Sequence, residues 1–352
     1  MGAESILGMR LVRTTPPRPV DVAALFPRLA PLAREATRLH PRPGAPSARD
    51  SSVGGPLLWP ADEPWPHCAI PHPEANEVLR HVRPERRARR VAAGGEVREP
   101  AAPEEDDGDI GWPEGPVPLL PVAQLFLRDV PFPRPHGRAE ADLLQVLWCP
   151  FEHPDTYLPA TALFWRSSAA VTDVLVAPPE PTLVEFDFLV PEPCVLAPER
   201  VVEYPGPLEL DRELRESLAD PGAWRAGGAE ADAAGVDGAY GSLPESFYHR
   251  QLSVAPGWKA GGWPSWGYTD PVPRLCAACG ADMDPLLTIA TFEWDGDQHG
   301  WIPFEDQAAA SAPRRAGLDP RQPTAVRIGS GYKQQLYVCP VAPEHPHIEL
   351  MQ

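Results

Sequence analysis

A short phrase that occurs twice constrains the fold of this 352-residue chain more than any other feature. Gly54-Gly55 precedes two tryptophan-proline pairs and a cysteine, whereas Gly261-Gly262 precedes two tryptophans and a Cys-x-x-Cys motif. In both places two apolar, strand-like stretches follow, then Cys-Pro and, a few residues later, His-Pro. Elements repeated in the same order indicate an internal duplication. We therefore expect two similar halves, packed face to face or edge to edge.

The proline content determines which elements these halves can contain. The chain has 49 prolines and 28 glycines, which disfavour long helices and central strands and favour short strands joined by turns. Apolar residues at helical spacing predict one or two short helices over 20–40 and another over 208–220. Clean alternation over 182–190 predicts a half-buried antiparallel strand. The expected fold class is α+β and β-rich, with two duplicated antiparallel-sheet halves and a few peripheral helices.

The same patterns divide the chain into four parts. We expect an N-terminal helical segment and loop (1–50), a first β-rich repeat (51–164), a connecting section (165–255) and a second β-rich repeat (256–352). Residues 77–116 interrupt the first repeat with a basic and then an acidic run that almost lacks large apolar residues. We expect this insertion to be mobile, because it cannot bury enough apolar surface to offset the entropy lost on ordering.

The overall charge restricts the class of partner. The chain carries 31 basic and 49 acidic residues, a formal net charge of −18. This field repels phosphate backbones and anionic lipid surfaces, so we expect neither nucleic acid nor a membrane as partner. No apolar run reaches the roughly 18 residues of a membrane span, and the N-terminus lacks the apolar core of a signal peptide. We expect a cytoplasmic protein with a protein client, for which a basic client would suit the acidic charge.

The second half contains a candidate zinc site. Cysteines in a cytoplasmic chain are reduced, so their spacing favours metal binding over disulfides. Cys276 and Cys279 form a Cys-x-x-Cys knuckle, whose thiolates can share one face of a tetrahedral zinc ion. Cys339 would supply a third thiolate, and His345 or His347 the fourth ligand of a structural zinc site. The alternative is a relic knuckle that holds no metal.

The first half contains a matching set. Cys68 and His72 are four residues apart, and so are Cys149 and His153, at places equivalent to those of the second set. Two thiols and two imidazoles are also a ligand set for zinc. The alternative is that these cysteines are core residues and the histidines belong to loops. Cys194 fits neither set, and we expect it to be a buried core thiol.

The tryptophans near the paired glycines have two interpretations. A Gly-Gly pair supplies positive φ and lets the backbone pass close under a large ring, so the phrase can be an architectural corner. Tryptophan is also a common anchor at protein interfaces. The candidate partner-binding residues are therefore Trp59, Trp65, Trp263 and Trp266.

Five short motifs carry a resemblance to a known family: Ser51-Ser52-Val53-Gly54-Gly55, Trp65-Pro66, Ala123-Gln124-Leu125, Leu144-Gln145 and Lys259-Ala260-Gly261-Gly262. Their order resembles that of the YwqG-like family of bacterial proteins of unknown function, over residues 20–352 apart from the insertion. That family is similar in turn to the eukaryotic programmed cell death protein 2 group. The group is implicated as a dedicated chaperone for one ribosomal protein, so the resemblance implies a client-specific chaperone or adaptor.

Familiar catalytic motifs are missing from the sequence. It contains no phosphate-binding P-loop, no Gly-x-Ser-x-Gly elbow and no His-Glu-x-x-His pair, so no catalytic residues are assigned. The leading hypothesis is a non-enzymatic protein-binding module with a structural zinc knuckle. The alternatives are a metal-dependent hydrolase with an open coordination position at a Cys/His set, and an immunity or regulatory protein for a toxin.

Overall fold

The computed structural model describes residues 12–70, 72, 80–81, 115–132, 138–226, 244–312, 319–342 and 345–352. The predicted insertion over 77–116 lies outside the described residues, apart from two residues at 80–81 and two at 115–116. Its mobility therefore stays a prediction.

Strands dominate the described residues, and all of their pairings are antiparallel, which confirms the α+β, β-rich class. The strands in chain order are β1 (Arg34–Arg38), β2 (Arg42–Pro43), β3 (Ser52–Val53), β4 (His67–Cys68), β5 (Arg80–His81), β6 (Val117–Pro118), β7 (Leu120–Phe126), β8 (Leu143–His153), β9 (Leu158–Arg166), β10 (Leu183–Val184), β11 (Cys194–Val195), β12 (Glu199–Glu203), β13 (Lys259–Gly261), β14 (Asp284–Ala290), β15 (Lys333–Val338) and β16 (Ile348–Met351).

The helices are short, as the proline content predicts. Asp21 and Asp211 each cap the start of a helix by accepting a backbone N–H, from Ala24 and Leu214 respectively. None of the helices in the described residues combines the length and the apolarity that a bilayer span requires. The α-helices are Val22–Leu25, Arg212–Ala219, Pro221–Ala226, Pro244–Phe247 and Gln307–Ser311, with a π-turn at Tyr248–Leu252 and 3-10 turns at Pro27–Leu32, Ser168–Ala170, Asp187–Leu189, Pro207–Glu209, His299–Trp301 and Phe304–Asp306.

Two six-stranded sheets with matching strand order make up the body of the protein. The first sheet has the order β2-β11-β3-β7-β8-β9, and the second has the order β12-β1-β13-β14-β15-β16. The last four strands of each sheet come from one repeat, so β3, β7, β8 and β9 correspond to β13, β14, β15 and β16. Two small pairs, β4 with β6 and β5 with β10, lie outside these sheets.

The other two strands of each sheet are exchanged between the repeats. The chain passes from β1 in the second sheet to β2 in the first, and later from β11 in the first to β12 in the second. Both crossings follow a Leu-x-Pro sequence, at Leu39-His40-Pro41 and at Leu196-Ala197-Pro198. In register, Cys194 pairs with Val53 as Thr37 pairs with Ala260. The repeat unit therefore begins before the Gly-Gly phrase, and the exchanged strands bind the two halves together.

Two local predictions were wrong in part. Helical spacing over 20–40 gives helical turns only as far as Leu32, because Arg34–Arg38 pairs with β12 on one side and β13 on the other. The alternation over 182–190 gives a strand only at Leu183–Val184, after which Asp187–Leu189 forms a 3-10 turn. Tertiary pairing overrides local periodicity at both places. The helix predicted over 208–220 is confirmed at Arg212–Ala219.

The main core contains side chains from both sheets, so the two repeats share one apolar interior. Trp148 and Trp258 are each 1% exposed or less, and they occupy the same cluster. A separate cluster holds the peripheral helices, where Phe26 packs edge-on against Trp224. Residues of the shared core include Val53, Val146 and Leu158 from the first sheet and Ala260, Ile289, Leu336 and Val338 from the second.

The paired glycines have the backbone role that the sequence predicts. Gly54, Gly261 and Gly262 have φ of 61°, 67° and 76°, in the left-handed region that favours glycine. A Cβ on Gly54 would lie 2.7 Å from the carbonyl oxygen of Pro191, so the chain passes too close for any other residue there. The phrase is an architectural corner in each repeat.

Candidate metal centres

The structure brings the predicted Cys and His residues together into two compact clusters. In each cluster four ligand atoms all lie within 4.8 Å of one another. The knuckle cluster consists of Cys276, Cys279, Cys339 and His345, and the first-repeat cluster consists of Cys68, His72, Cys149 and His153.

The knuckle cluster forms where a tight turn meets the end of a strand. Gly280, at φ 72°, closes the turn by donating its N–H to the carbonyl of Cys276. Cys339 directly follows β15, whose last residue pairs with the first residue of β14. Because β14 leads away from the knuckle and β15 returns, antiparallel pairing carries Cys339 back beside it. This geometry confirms the predicted approach of Cys339 to the knuckle.

Three distances between ligand atoms of the knuckle cluster are close to those of a tetrahedral site. Cys279 Sγ lies 3.5 Å from Cys339 Sγ, and His345 Nδ1 lies 3.4 Å from both Cys276 Sγ and Cys339 Sγ. Zinc with bonds of about 2.3 Å to sulfur and 2.0 Å to nitrogen separates neighbouring ligand atoms by about 3.6–3.8 Å. A zinc ion therefore fits between these atoms after small side-chain adjustments.

The choice between the two candidate histidines is settled by the fold. His345 enters the cluster, whereas His347 Nε2 lies 2.7 Å from the hydroxyl of Thr161 and 3.3 Å from Glu349. Thr161 belongs to β9 of the first sheet, so His347 joins the edges of the two sheets. Three thiols and one imidazole form the knuckle cluster.

The first-repeat cluster depends on an irregularity in β8. In a regular strand Cys149 and His153 would stand about 13 Å apart along the chain direction. The pairing of β8 with β9 shifts register between Trp148 and Glu152, where β8 carries two more residues than its partner. This bulge folds the strand and brings the two ligand atoms within 4.8 Å.

The other two ligands complete this cluster. Cys68 lies at the end of β4, with its Sγ 3.7 Å from His153 Nε2. His72 Nε2 lies 3.0 Å from Cys149 Sγ, and the two imidazole rings are 4.9 Å apart. Cys68, Cys149 and His153 are each no more than 7% exposed, whereas His72 is half-buried. The two cysteines thus belong to the apolar core of the first repeat, which also contains Trp59 and Trp65, and His72 lies at the partly exposed side of the cluster.

Backbone amides face the thiols of both clusters. Each donor lies two residues after its cysteine, which is the arrangement that a knuckle uses to stabilise thiolate charge. Sequence reasoning did not find these donors, because a backbone N–H has no residue signature apart from its spacing. The pairs are Ile70 with Cys68, Phe151 with Cys149, Ala281 with Cys279 and Val341 with Cys339.

The protonation of the thiols follows from these contacts. A hydrogen bond from Cys149, followed by one from His153, lowers the pKa of Cys68 to about 4. The same hydrogen bond between the two thiols raises the pKa of Cys149. Burial opposes ionisation of Cys339, but the backbone N–H of Ala342 and the imidazole of His345 lower its pKa to about 6. Each cluster therefore contains a thiol that ionises readily, as a metal ligand must.

The four tryptophans predicted to bind a partner lie within the fold instead. Trp59, Trp65 and Trp266 are at most 6% exposed, and Trp263 is half-buried under the guanidinium of Arg34. All four indole N–H groups donate to acceptors of the chain itself. The rings thus pack beside the Gly-Gly corners, and the partner-binding role of these four residues stays a prediction.

Cys194 is fully buried, as expected for a core thiol. Its Sγ lies 3.3 Å from the carbonyl of Pro323, and burial raises its pKa.

No protein-family model matches the chain, and no curated protein matches it.

Proposed function

We propose that this protein is a cytoplasmic, non-catalytic protein-binding module, acting as a client-specific chaperone or adaptor, in which a structural zinc ion fastens the second repeat. The observation that carries the proposal is the knuckle cluster, where Cys276, Cys279, Cys339 and His345 converge at tetrahedral spacing. Zinc at this position links the knuckle turn to the end of β15 and so fixes the shape of the surface around it.

A closed ligand set favours a structural role over hydrolysis. A hydrolytic zinc ion is held by three protein ligands and keeps a fourth position for water or substrate. Both clusters offer four protein ligands within 4.8 Å of one another, so neither leaves such a position. This counts against the hydrolase alternative.

Three apolar side chains on the segments that carry the knuckle cysteines are exposed to solvent. Val272, Leu275 and Val341 are 39%, 50% and 57% exposed, and the last two lie within two residues of Cys276 and Cys339. We call these three residues the knuckle surface. A contiguous apolar patch marks a protein-interaction site, and this is the role that the proposal gives to the knuckle surface.

Charge selects the kind of client that this surface would bind. Asp270, Asp282 and Asp284 are exposed on the segment that carries the knuckle, and a zinc ion with three thiolates has one net negative charge. With a formal net charge of −18 for the whole chain, the knuckle surface suits a client segment that is basic and apolar. The resemblance to the YwqG-like family, and through it to a chaperone group, supports the same proposal.

The zinc part of the proposal is tested by elemental analysis of protein purified without a histidine tag. We expect Cys276→Ser to lose one equivalent of zinc and to melt at a lower temperature. Cys194→Ala is the matched control, since it removes a buried thiol outside both clusters and should keep the full zinc content even if it melts earlier. Unchanged zinc content and stability in Cys276→Ser would contradict the proposal.

The client part is tested by comparing two surface variants in extracts of the source cell. The double variant Leu275→Asp, Val341→Asp should lose a bound protein that wild type and Val176→Asp both retain, because Val176 is 94% exposed on a different segment. Direct binding of that protein should weaken as salt is added. Identical sets of bound proteins for all three would contradict the proposal, as would zinc-dependent turnover of small esters or amides.

A further inference from the structure

The register of the two sheets places the first-repeat cluster where the knuckle cluster lies in the second. Across β7 and β8, Pro121 pairs with Leu147, and the next ladder pair after a bulge begins at Ala123. Across β14 and β15, Pro285 pairs with Tyr337, and the same bulge follows. Cys149 lies two residues beyond Leu147, as Cys339 lies two residues beyond Tyr337. The two cysteines thus occupy the same structural position.

The remaining ligands come from the same parts of each repeat but with different spacing. One cysteine follows the Gly-Gly corner in each, Cys68 in the first repeat and Cys276 in the second. The other two ligands differ: His72 and His153 in the first repeat stand in for Cys279 and His345 in the second. Since the spacings are not copies of one another, each repeat assembles its four ligand atoms by its own local geometry.

We propose that the first repeat holds a second zinc ion, bound by Cys68, His72, Cys149 and His153. Two thiolates and two imidazoles form a closed, neutral complex with a divalent ion, and a ligand set of sulfur and nitrogen favours zinc over magnesium or calcium. This assignment goes beyond the zinc of the knuckle cluster and stands if that ion is absent.

The burial of each cluster matches the charge that its zinc complex would carry. Both cysteines of the first-repeat cluster belong to an apolar core, where an uncompensated charge is costly, and the zinc complex of this cluster would be neutral. The knuckle cluster includes the exposed Cys279, and its complex carries one negative charge beside solvent. The ligand set that gives a neutral complex is therefore the one with core thiols, and the set that gives a charged complex is the one that reaches solvent. This agrees with one zinc ion at each cluster.

The local geometry of the first-repeat cluster also suits a shared metal ion. Cys149 is 0% exposed and His153 is 7% exposed, and a bulge in β8 turns them towards one another. Backbone N–H groups of Ile70 and Phe151 lie against the two thiols. A metal ion would bind all four converging Cys and His ligand atoms at once.

Site-specific variants at the two equivalent cysteines test the inference. We expect two zinc ions per wild-type chain, one in Cys149→Ser, one in Cys339→Ser and none in the double variant. If only the first-repeat cluster binds zinc, the zinc content of the protein falls in Cys149→Ser and does not change in Cys339→Ser. The two proposals therefore fail in distinguishable ways.

Cobalt reconstitution reports which site each variant retains. Cys339→Ser should keep a tetrahedral cobalt site with two thiolates, and Cys149→Ser should keep one with three. The thiolate-to-cobalt charge-transfer absorption per ion should therefore be weaker in Cys339→Ser. Equal spectra, or zinc content unchanged by Cys149→Ser, would overturn the proposal.

A milder variant covers the case in which Cys149→Ser does not fold. His72 is half-buried, so His72→Gln removes one ligand with little loss of packing. A folded His72→Gln chain that loses one zinc, or releases it to a chelator much faster than wild type, supports the site. Two firmly held zinc ions in this variant would overturn it, and so would a Cys68–Cys149 disulfide in protein isolated under reducing conditions.

Discussion

Lys259 Nζ lies 2.6 and 2.7 Å from the two carboxylate oxygens of Glu203, and both side chains are at most 1% exposed. The pair joins β13 to β12 across the exchanged strand β1. Glu203 also accepts backbone N–H bonds from Ala255 and Trp263, so its charge is fully satisfied inside the protein. The lysine of the Lys-x-Gly-Gly motif thus has a structural role, which is to neutralise a buried carboxylate.

Removal of this lysine should destabilise the protein strongly. Lys259→Ala leaves the Glu203 carboxylate buried without its cation, for which we expect a loss of about 3–5 kcal/mol in the free energy of unfolding. Urea denaturation measures this loss. Arg212→Ala breaks an exposed ion pair with Glu216 and should cost less than about 0.5 kcal/mol. Similar losses for the two variants would refute the assigned role.

The second glycine of the downstream corner should not tolerate a side chain. A Cβ on Gly262, at φ 76°, would collide with a carboxylate oxygen of Glu203 and lie 2.7 Å from Cβ of Ala36. We expect Gly262→Ala to lower the free energy of unfolding by at least about 2 kcal/mol, since left-handed strain and overpacking add. Gly267→Ala meets no atom within 4 Å and should change it by less than about 0.5 kcal/mol. A tolerated Gly262→Ala would show that the corner can relax.

Acid should weaken the fold through His40. Burial, followed by the positive charge of Arg38, holds the pKa of His40 down to about 3, although Glu199 accepts from its Nε2 and Glu293 lies 3.8 Å from its Nδ1. The unfolded chain binds a proton near pH 6.5, whereas the folded chain does not until about pH 3. Stability from this residue is therefore present above pH 6.5 and is lost as the pH falls from 6.5 towards 3.

The test compares wild type with His40→Asn, because asparagine tolerates the positive φ of 44° at this position. The difference in unfolding free energy between the two should shrink by up to about 1.4 kcal/mol per pH unit below pH 6.5. Because His40 belongs to neither Cys/His cluster, loss of metal at low pH should affect both proteins alike. A difference that is constant from pH 7 to 4.5 would mean that His40 titrates normally in the folded chain.

Limited proteolysis tests the insertion. Its charged, apolar-poor composition predicts that trypsin cuts first between Arg86 and Arg98, giving two fragments that stay associated. Mass spectrometry of early digests locates the cut. Protection of this segment while the rest of the chain is digested would show that it is ordered.

Several features of the fold follow from local sequence alone. The duplicated order of motifs predicts two equivalent halves, and Gly261-Gly262 predicts a corner with positive φ. The first set of four ligands and the three cysteines of the second are also predictable, because cysteine and histidine spacing near strand ends is a local pattern. In each case the signal lies in residue type and spacing over a short stretch, where steric requirements and the choice of ligand atoms act directly.

Tertiary structure alone decided the rest. Strands as short as Arg42–Pro43 and Cys194–Val195 have too few residues for a periodic signal, and only long-range pairing makes them exchange between the sheets. The bulge in β8, the selection of His345 over His347 and the burial of the corner tryptophans depend on which neighbours the chain meets in space. Residue types and their local spacing limit which groups can pair. The free energy gained when distant segments of the chain bury their side chains against each other decides which of these pairs form.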